Sequence, residues 1–148
     1  HTESHFNPLA RSHIPAFGLM QIVPATAGRD ASRKLFRKPK LLSAQFLYNP
    51  KQNIQVGSAY LNMLYFDYLK DIKSPQSRLY YTIAAYNGGA SNVAKAFTGK
   101  ASFRDAIGVI NEMTPEQVLE RLTTQSPSQE TRDYLQRVLQ RSALYSQR

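Results

Sequence analysis

One glutamate lies in a stretch that is rich in amide and hydroxyl side chains. Glu3 belongs to the run Glu-Ser-His-Phe-Asn-Pro at residues 3–8, and the run Gly-Leu-Met-Gln follows at residues 18–21. A carboxylic acid that stays protonated near neutral pH can donate its proton to a leaving-group oxygen. The pattern predicts that Glu3 is a general acid and that Phe6 and Met20 shield it from water.

A second acidic side chain that could work together with Glu3 is hard to find nearby. Enzymes that use paired carboxylates, as most glycosidases do, place them on either side of the bond that they cut. Between Glu3 and Asp67 the one other acidic residue is Asp30, which we place on a solvated helix surface. The chain has three histidines and no cysteine, and His-x-x-x-His without a third ligand is a weak metal signal. We therefore expect one working acid, no metal and no cofactor.

Further motifs give these runs a family resemblance. The run Ala-Tyr-Asn-Gly-Gly covers residues 85–89, and Glu-Thr-Arg-Asp-Tyr-Leu covers residues 130–135. The order of the runs resembles the lytic transglycosylases that have the soluble-transglycosylase, goose-lysozyme-like catalytic domain. Residues 53–64 and 111–127 are most similar to the membrane-bound branch of that family. The resemblance extends over nearly the whole chain.

The resemblance implies both a reaction and a set of site residues. It implies cleavage of the β-1,4 bond between N-acetylmuramic acid and N-acetylglucosamine in peptidoglycan, with Glu3 as general acid and then as base. The substrate N-acetyl group replaces the second carboxylate, and the product carries a 1,6-anhydromuramyl end. The residues expected to contact the substrate are Ser4, Ser12, Met20, Gln21, Tyr60, Tyr86, Asn87 and Tyr134.

The same side chains also fit structural roles. Ser4 and Ser12 fit surface hydroxyls or helix caps, and Gln21 fits a core amide bonded to the backbone. The tyrosines fit packing as well as contact with a sugar, since a tyrosine ring is largely apolar. Asn7 and Pro8 are expected to turn the chain away after the acid.

Helix signals fill the chain between the motifs. Capping residues or prolines at first helical positions predict starts at Pro24, Asn49-Pro50, Ser74-Pro75, Ser102, Thr114-Pro115 and Ser126-Pro127. We expect these helices to end near Phe36, near Ile72 and at Gly88-Gly89 for the first three. Residues 1–6 fit the last turn of a helix, and residues 18–23 are the one candidate strand. The sequence predicts an all-α, lysozyme-like globule of about six to eight helices with little or no sheet.

Apolar spacing predicts the buried faces of two of these helices. Ile54, Leu64 and Ile72 recur near helical spacing in the helix after Asn49. In the helix after Ser74, Leu79 and Ile83 are followed by Tyr86. These residues are expected to face the core.

The length and the net charge of the chain limit the number of domains and the kind of partner. At 148 residues we expect one catalytic domain over 1–148, a fragment whose natural N-terminus, with any outer-membrane anchor, is missing. The net charge of +9 suits an anionic polymer, and basic side chains are expected to hold muramyl-peptide carboxylates. The basic run at residues 33–40 fits an exposed connection better than a binding site. We expect peptidoglycan strands as partner, a monomer, and the bacterial periplasm or cell envelope as location.

Other functions remain open at this point. A goose-type lysozyme would hydrolyse the same bond on the same fold and release reducing ends. A non-catalytic peptidoglycan-binding module would bind without cutting, and Glu3 lies near a chain end, where chains tend to fray. Nucleic-acid binding has only the charge in its favour, since no recognised motif accompanies it, and we do not expect it.

Overall fold

Helices dominate the structure, a computed structural model that describes residues 1–146. Within this part of the chain, extended pairing is limited to the isolated bridges of Phe17 with Arg11 and with Ile22. The prediction of an all-α protein with little or no sheet is confirmed. The contacts divide the chain into two compact units, which meet in sequence between Met63 and Leu64.

The first unit, residues 1–63, is a loop-rich segment followed by helices. A π-helical turn, Pro24–Gly28, leads into α1 (Arg29–Phe36), and α2 (Ala44–Tyr48) and α3 (Pro50–Asn62) follow. Both α1 and α2 pack on α3. The core of this unit is formed by apolar side chains from the loop and all three helices, including Ile22, Ala31, Leu47 and Val56.

The second unit starts at Leu64 and has α4 as its centre. Its helices are α4 (Pro75–Gly88), α5 (Ala90–Val93), α6 (Lys95–Thr98), α7 (Phe103–Asn111), α8 (Pro115–Gln125) and α9 (Gln129–Ser146). Helices α5, α8 and α9 pack against α4. Tyr81 of α4 is fully buried; its hydroxyl donates to the Ala90 carbonyl at 2.7 Å, and burial raises the pKa of Tyr81.

Local capping sets most helix starts where the sequence predicts them. Asn49 accepts a hydrogen bond from the Gln52 N–H at the start of α3, and Ser74 accepts one from the Ser77 N–H at the start of α4. At α8, Thr114 and Gln117 form the complete reciprocal capping box. Each of these caps satisfies a backbone N–H that has no partner within its own helix.

Some predicted boundaries are wrong. The helix after Asn49 ends in α form at Asn62 and continues as a π-helical turn, Met63–Tyr68, so it stops short of Ile72. Residues 18–21 form a turn, not a strand. Ser126 does not cap the last helix, because its hydroxyl donates back to the Leu122 carbonyl at 2.6 Å.

The predicted buried faces also need correction. Leu79 is 46% exposed and Ile54 is 49% exposed, although both lie on predicted apolar stripes. Helix α4 buries Tyr81, Ala84 and Ala85 instead. The buried face of α4 thus combines one large aromatic ring with small side chains, so the spacing of the large aliphatic residues alone points to the wrong face.

A buried amide on α3 holds the loop that precedes the helices. Asn53 is fully buried, and its Nδ2 donates to the carbonyl oxygens of Phe17 and Leu47, each at 2.8 Å. Its Oδ1 accepts from the Met20 N–H at 2.7 Å. Gly18 lies against this amide with φ of +77°, and a Cβ at Gly18 would lie 2.9 Å from Asn53 Cγ. The loop can therefore reach Asn53 only with glycine at this position.

We predict that Gly18→Ala lowers the free energy of unfolding by about 3 kcal/mol, because a left-handed backbone and a steric overlap both oppose the methyl group. Gly99→Ala is the matched control, since Gly99 has φ of +71° but nothing within 4 Å of its would-be Cβ. The control should cost only about 1 kcal/mol. Urea unfolding of both variants measures the difference, and equal losses would show that the Asn53 contact contributes nothing.

Candidate active site

The turn that carries Glu3 is joined to the turn that carries Gln21. Glu3 is half-buried in a helical turn in which the His5 N–H donates to the His1 carbonyl at 2.8 Å. The next residue, Ser4, is 7% exposed, and its hydroxyl donates to the Leu19 carbonyl at 2.8 Å. The structure thus brings the first two sequence motifs together. For Ser4 it favours the structural role over contact with substrate, because the hydroxyl hydrogen is already used.

The Gln21 side chain is fixed by two backbone carbonyls. Gln21 has φ of 49°, and its Nε2 donates to the carbonyls of Ala10 at 3.1 Å and Gly18 at 2.9 Å. Within residues 1–146 no group donates to its Oε1. Gln21 therefore has the structural role that its residue type allowed, and it still presents one acceptor oxygen.

Met20 is held through both its backbone and its side chain. Its N–H donates to Asn53, and its side chain lies on Gly57 of α3, where a Cβ would come within 2.8 Å of the Met20 Cε. Ser12 is half-buried, and its hydroxyl donates to the Ile14 carbonyl two residues on. Their expected contacts with substrate stay predictions.

Phe6 does not take the position expected of it. Its ring is 64% exposed and stacks on the His1 ring, with centroids 5.1 Å apart and planes 13° from parallel. A ring so exposed cannot exclude water from Glu3, and the expectation that Phe6 shields the acid is wrong. Tyr60 of α3, a predicted cleft tyrosine, is 9% exposed and forms part of the core of the first unit.

In the second unit, the Tyr-Asn-Gly-Gly motif meets the closing Glu-Thr motif. The Asn87 Oδ1 accepts from the Thr131 hydroxyl at 2.8 Å, and Asn87 Nδ2 lies 3.4 Å from Glu130 Oε1. A Cβ at Gly88 would lie 2.7 Å from the Thr131 hydroxyl oxygen. This close approach joins the end of α4 to the first turn of α9.

The two tyrosines of these motifs differ in exposure. Tyr86 is half-buried in the last turn of α4, and Tyr134 is buried on α9. The burial of Tyr134 favours packing, whereas Tyr86 retains exposed surface. Contact of Tyr86, Asn87 and Tyr134 with a substrate remains a prediction.

Sequence reasoning missed the residues that hold the motifs in place. Asn53 and Thr131 contact the motif residues directly, yet neither was a candidate. The sequence of α3 gives no clear signal for Asn53, because Gln52 and Gln55 lie beside it and only the structure shows which face is buried. The argument that a buried amide needs partners applies to it as it does to Gln21.

The described residues were found neither to cluster as metal ligands nor to form a long apolar helix. Among residues 1–146 no group of three or more His, Cys, Asp or Glu side chains is placed to hold a metal ion. In the same part of the chain, every helix is too short or too polar to span a bilayer.

The motifs and the fold correspond to a known family. Residues 1–107 match the family described as the transglycosylase SLT domain. The chain belongs to this family, and the predicted resemblance is confirmed.

Several curated relatives share one name, membrane-bound lytic murein transglycosylase C. The chain is 48% identical to that of Pectobacterium atrosepticum over 138 residues, which cover 93% of the chain and 38% of the relative. It is 47% identical to that of Sodalis glossinidius over 137 residues, with 93% and 38% covered. It is 45% identical to that of Salmonella arizonae over 147 residues, with 99% and 40% covered. The chain thus spans about two-fifths of the length of these relatives.

We predict that Gln21→Glu destabilises the first unit by about 2 kcal/mol or more, because a carboxylate would replace the amide donor that faces two carbonyl oxygens. Gln55→Glu is the control, since Gln55 is exposed on α3 and receives the same change of charge. Urea unfolding measures both. If the two variants lose the same small amount, the Gln21 bonds to Ala10 and Gly18 are not important for stability.

Proposed function

We propose that residues 1–148 form the catalytic domain of a peptidoglycan lytic transglycosylase. The observation that supports this best is the family match, which covers the Glu3 turn and the Gln21 turn that Ser4 joins to it. The names of the relatives state that those proteins act on murein. The substrate is the β-1,4 bond between N-acetylmuramic acid and N-acetylglucosamine.

Glu3 acts first as the acid. In its protonated form it donates to the glycosidic oxygen, so that the bond from this oxygen to C1 of the muramyl sugar breaks. The carbonyl oxygen of the muramyl N-acetyl group bonds to C1 from the other side and takes the place of an enzyme nucleophile. The leaving sugar departs with the proton of Glu3 as a new hydroxyl.

Glu3 then acts as the base. Its carboxylate accepts the proton of the C6 hydroxyl on the same muramyl sugar, and O6 bonds to C1 as the N-acetyl oxygen leaves. The product is the 1,6-anhydromuramyl end, Glu3 is again protonated, and no water is consumed. One carboxyl group is sufficient for both steps.

The sequence of the first unit supports a mechanism with one acid. Its only carboxylate besides Glu3 is Asp30, which lies on α1 directly after the π-helical turn that begins at Pro24. The two-carboxylate mechanism of ordinary glycosidases would need a second catalytic carboxylate, and we assign none in this unit.

Gln21 positions the sugar in this proposal. Its two amide hydrogens hold the loop, so its Oε1 cannot rotate away and accepts a hydrogen bond from a substrate N–H or hydroxyl. An acceptor held in one orientation costs little conformational entropy when it binds. Substrate contacts of Tyr86 and Asn87 are proposed from their motif alone, and Ser12, Met20, Tyr60 and Tyr134 are weaker candidates.

The location follows from the substrate. We propose that the protein works in the bacterial cell envelope, in the periplasm where peptidoglycan lies. The relatives are named as membrane-bound, and association with the outer membrane is the corresponding proposal for this chain. We propose that it acts as a monomer, since one chain supplies every residue of the mechanism.

We predict that Glu3→Gln reduces solubilisation of purified sacculi by at least about 100-fold, because general acid–base catalysis contributes roughly 10²–10⁴ in rate. The amide keeps the shape and cannot donate the proton. Asp30→Asn is the matched control, which removes the other carboxylate of the first unit and should keep full activity. Mass spectrometry of the wild-type products should find 1,6-anhydromuramyl ends.

Three results would contradict the proposal in different ways. Activity that survives in Glu3→Gln would exclude Glu3 as the acid. Reducing ends in the wild-type products would identify a lysozyme-type hydrolase. Binding of the wild-type chain to sacculi without turnover would identify a peptidoglycan-binding module.

A further inference from the structure

The first unit carries a stretch with strongly one-sided charge. No acidic residue occurs between Asp30 and Asp67, whereas six lysines and arginines occur there. Five of the six lie between Arg33 and Lys40, at the end of α1 and in the segment that follows it. We call residues 33–41 the basic loop. Like charges this close repel one another, so the arrangement costs stability unless something offsets it.

The basic loop has a fixed backbone. Helix α1 ends at Phe36, and Arg37 follows in the left-handed conformation with φ of 59°. The hydroxyl oxygen of Ser32, which is fully buried, accepts from the Lys40 N–H at 2.7 Å, and the same hydroxyl donates to the Arg29 carbonyl at 2.7 Å. Ser32 thereby folds the chain back over the end of α1, and the loop is ordered before any ligand arrives.

The cations of the basic loop face solvent. Arg33, Arg37, Lys38 and Lys40 are all exposed. In the part of the chain that the structure describes, Arg33, Arg37 and Lys38 form no ion pair. Lys40 lies 4.7 Å above the Phe36 ring, a cation–π contact that places its ammonium group next to the loop. An ordered loop with uncompensated cations is complementary to a dense array of anions.

An exposed leucine next to the basic loop cations favours a membrane surface over a polyanion in solution or in the wall. Leu41 is 76% exposed and directly follows the cations. A soluble or wall-bound polyanion gains nothing from a leucine at this position. A membrane surface offers anionic headgroups and, directly below them, an apolar layer that accepts such a side chain.

We propose that the basic loop docks on an anionic phospholipid surface, with its cations on the headgroup phosphates and Leu41 in the outer part of the acyl layer. The contact is peripheral, because it uses one loop and no membrane span. It does not depend on the proposed enzymatic function, and either can fail without the other. Docking would hold the protein at a membrane surface by a patch separate from the Glu3 turn.

The size of the effect follows from the charges. Each Lys or Arg near an anionic membrane surface strengthens binding by about fivefold at physiological salt. Neutralising Arg37, Lys38 and Lys40 together should weaken partitioning roughly 100-fold on the same basis. Leu41→Ser should weaken it by about tenfold, since a partly buried leucine side chain is lost from the apolar layer.

The test is co-sedimentation of the 148-residue chain with vesicles of phosphatidylcholine, with or without phosphatidylglycerol. The loop variant carries Arg37→Gln, Lys38→Gln and Lys40→Gln. The matched control carries Lys95→Gln, Lys100→Gln and Arg104→Gln, three exposed cations of the second unit, so that both variants lose the same charge. Urea unfolding confirms that both variants fold as the wild type does.

We expect the wild-type chain and the control to bind vesicles that contain phosphatidylglycerol and to bind phosphatidylcholine alone much less. Binding of the loop variant to these vesicles should be roughly 100-fold weaker, and added salt should weaken wild-type binding. Equal losses in the loop variant and the control would overturn the proposal in favour of non-specific charge. If the loop variant binds vesicles as the wild type does but binds sacculi more weakly, the membrane proposal is overturned, and the basic loop is a surface for a wall polymer.

Discussion

The geometry of the first unit depends on one buried amide. Asn53 supplies two donors and one acceptor to three backbone groups, two from the loop and one from the end of α2. The Phe17 carbonyl also accepts from the Ile22 N–H, whereas the Met20 N–H and the Leu47 carbonyl depend on Asn53. A buried backbone group without a partner costs about 1–3 kcal/mol, so this side chain stabilises an otherwise irregular segment. It sets the distance between α3 and the loop, and it therefore sets where the Gln21 turn lies and where the Glu3 turn can attach to it.

Most polar side chains of the site motifs form hydrogen bonds within the protein. Ser4 uses its hydroxyl hydrogen on the Leu19 carbonyl, and Gln21 uses both amide hydrogens on the backbone. In the second unit, the Asn87 Oδ1 accepts from the Thr131 hydroxyl. Residue types that suit sugar recognition are the same types that satisfy buried carbonyls. In the first unit, Glu3 and the Gln21 oxygen are the groups that the proposed mechanism uses.

The sequence predicted local features well and packed faces poorly. Helix starts at Asn49, Ser74 and Thr114 follow from a cap and a proline, which act within one turn and need no knowledge of the neighbours. Phe6, which the sequence predicts to shield Glu3, and Leu79, which its spacing predicts to be buried, both lie on the surface, because burial depends on which element packs against a face. Asn53 was missed because a polar residue in a helix is usually solvated, and only its distant partners show otherwise.

The glycines of the motifs also have a structural role. A Cβ at Gly18 would overlap Asn53, and a Cβ at Gly88 would lie 2.7 Å from the Thr131 hydroxyl oxygen, so each glycine marks a close approach of two segments. Such positions restrict the residue type for reasons of packing alone. The family match therefore establishes the scaffold, whereas the proposed catalysis depends on the Glu3 carboxyl group.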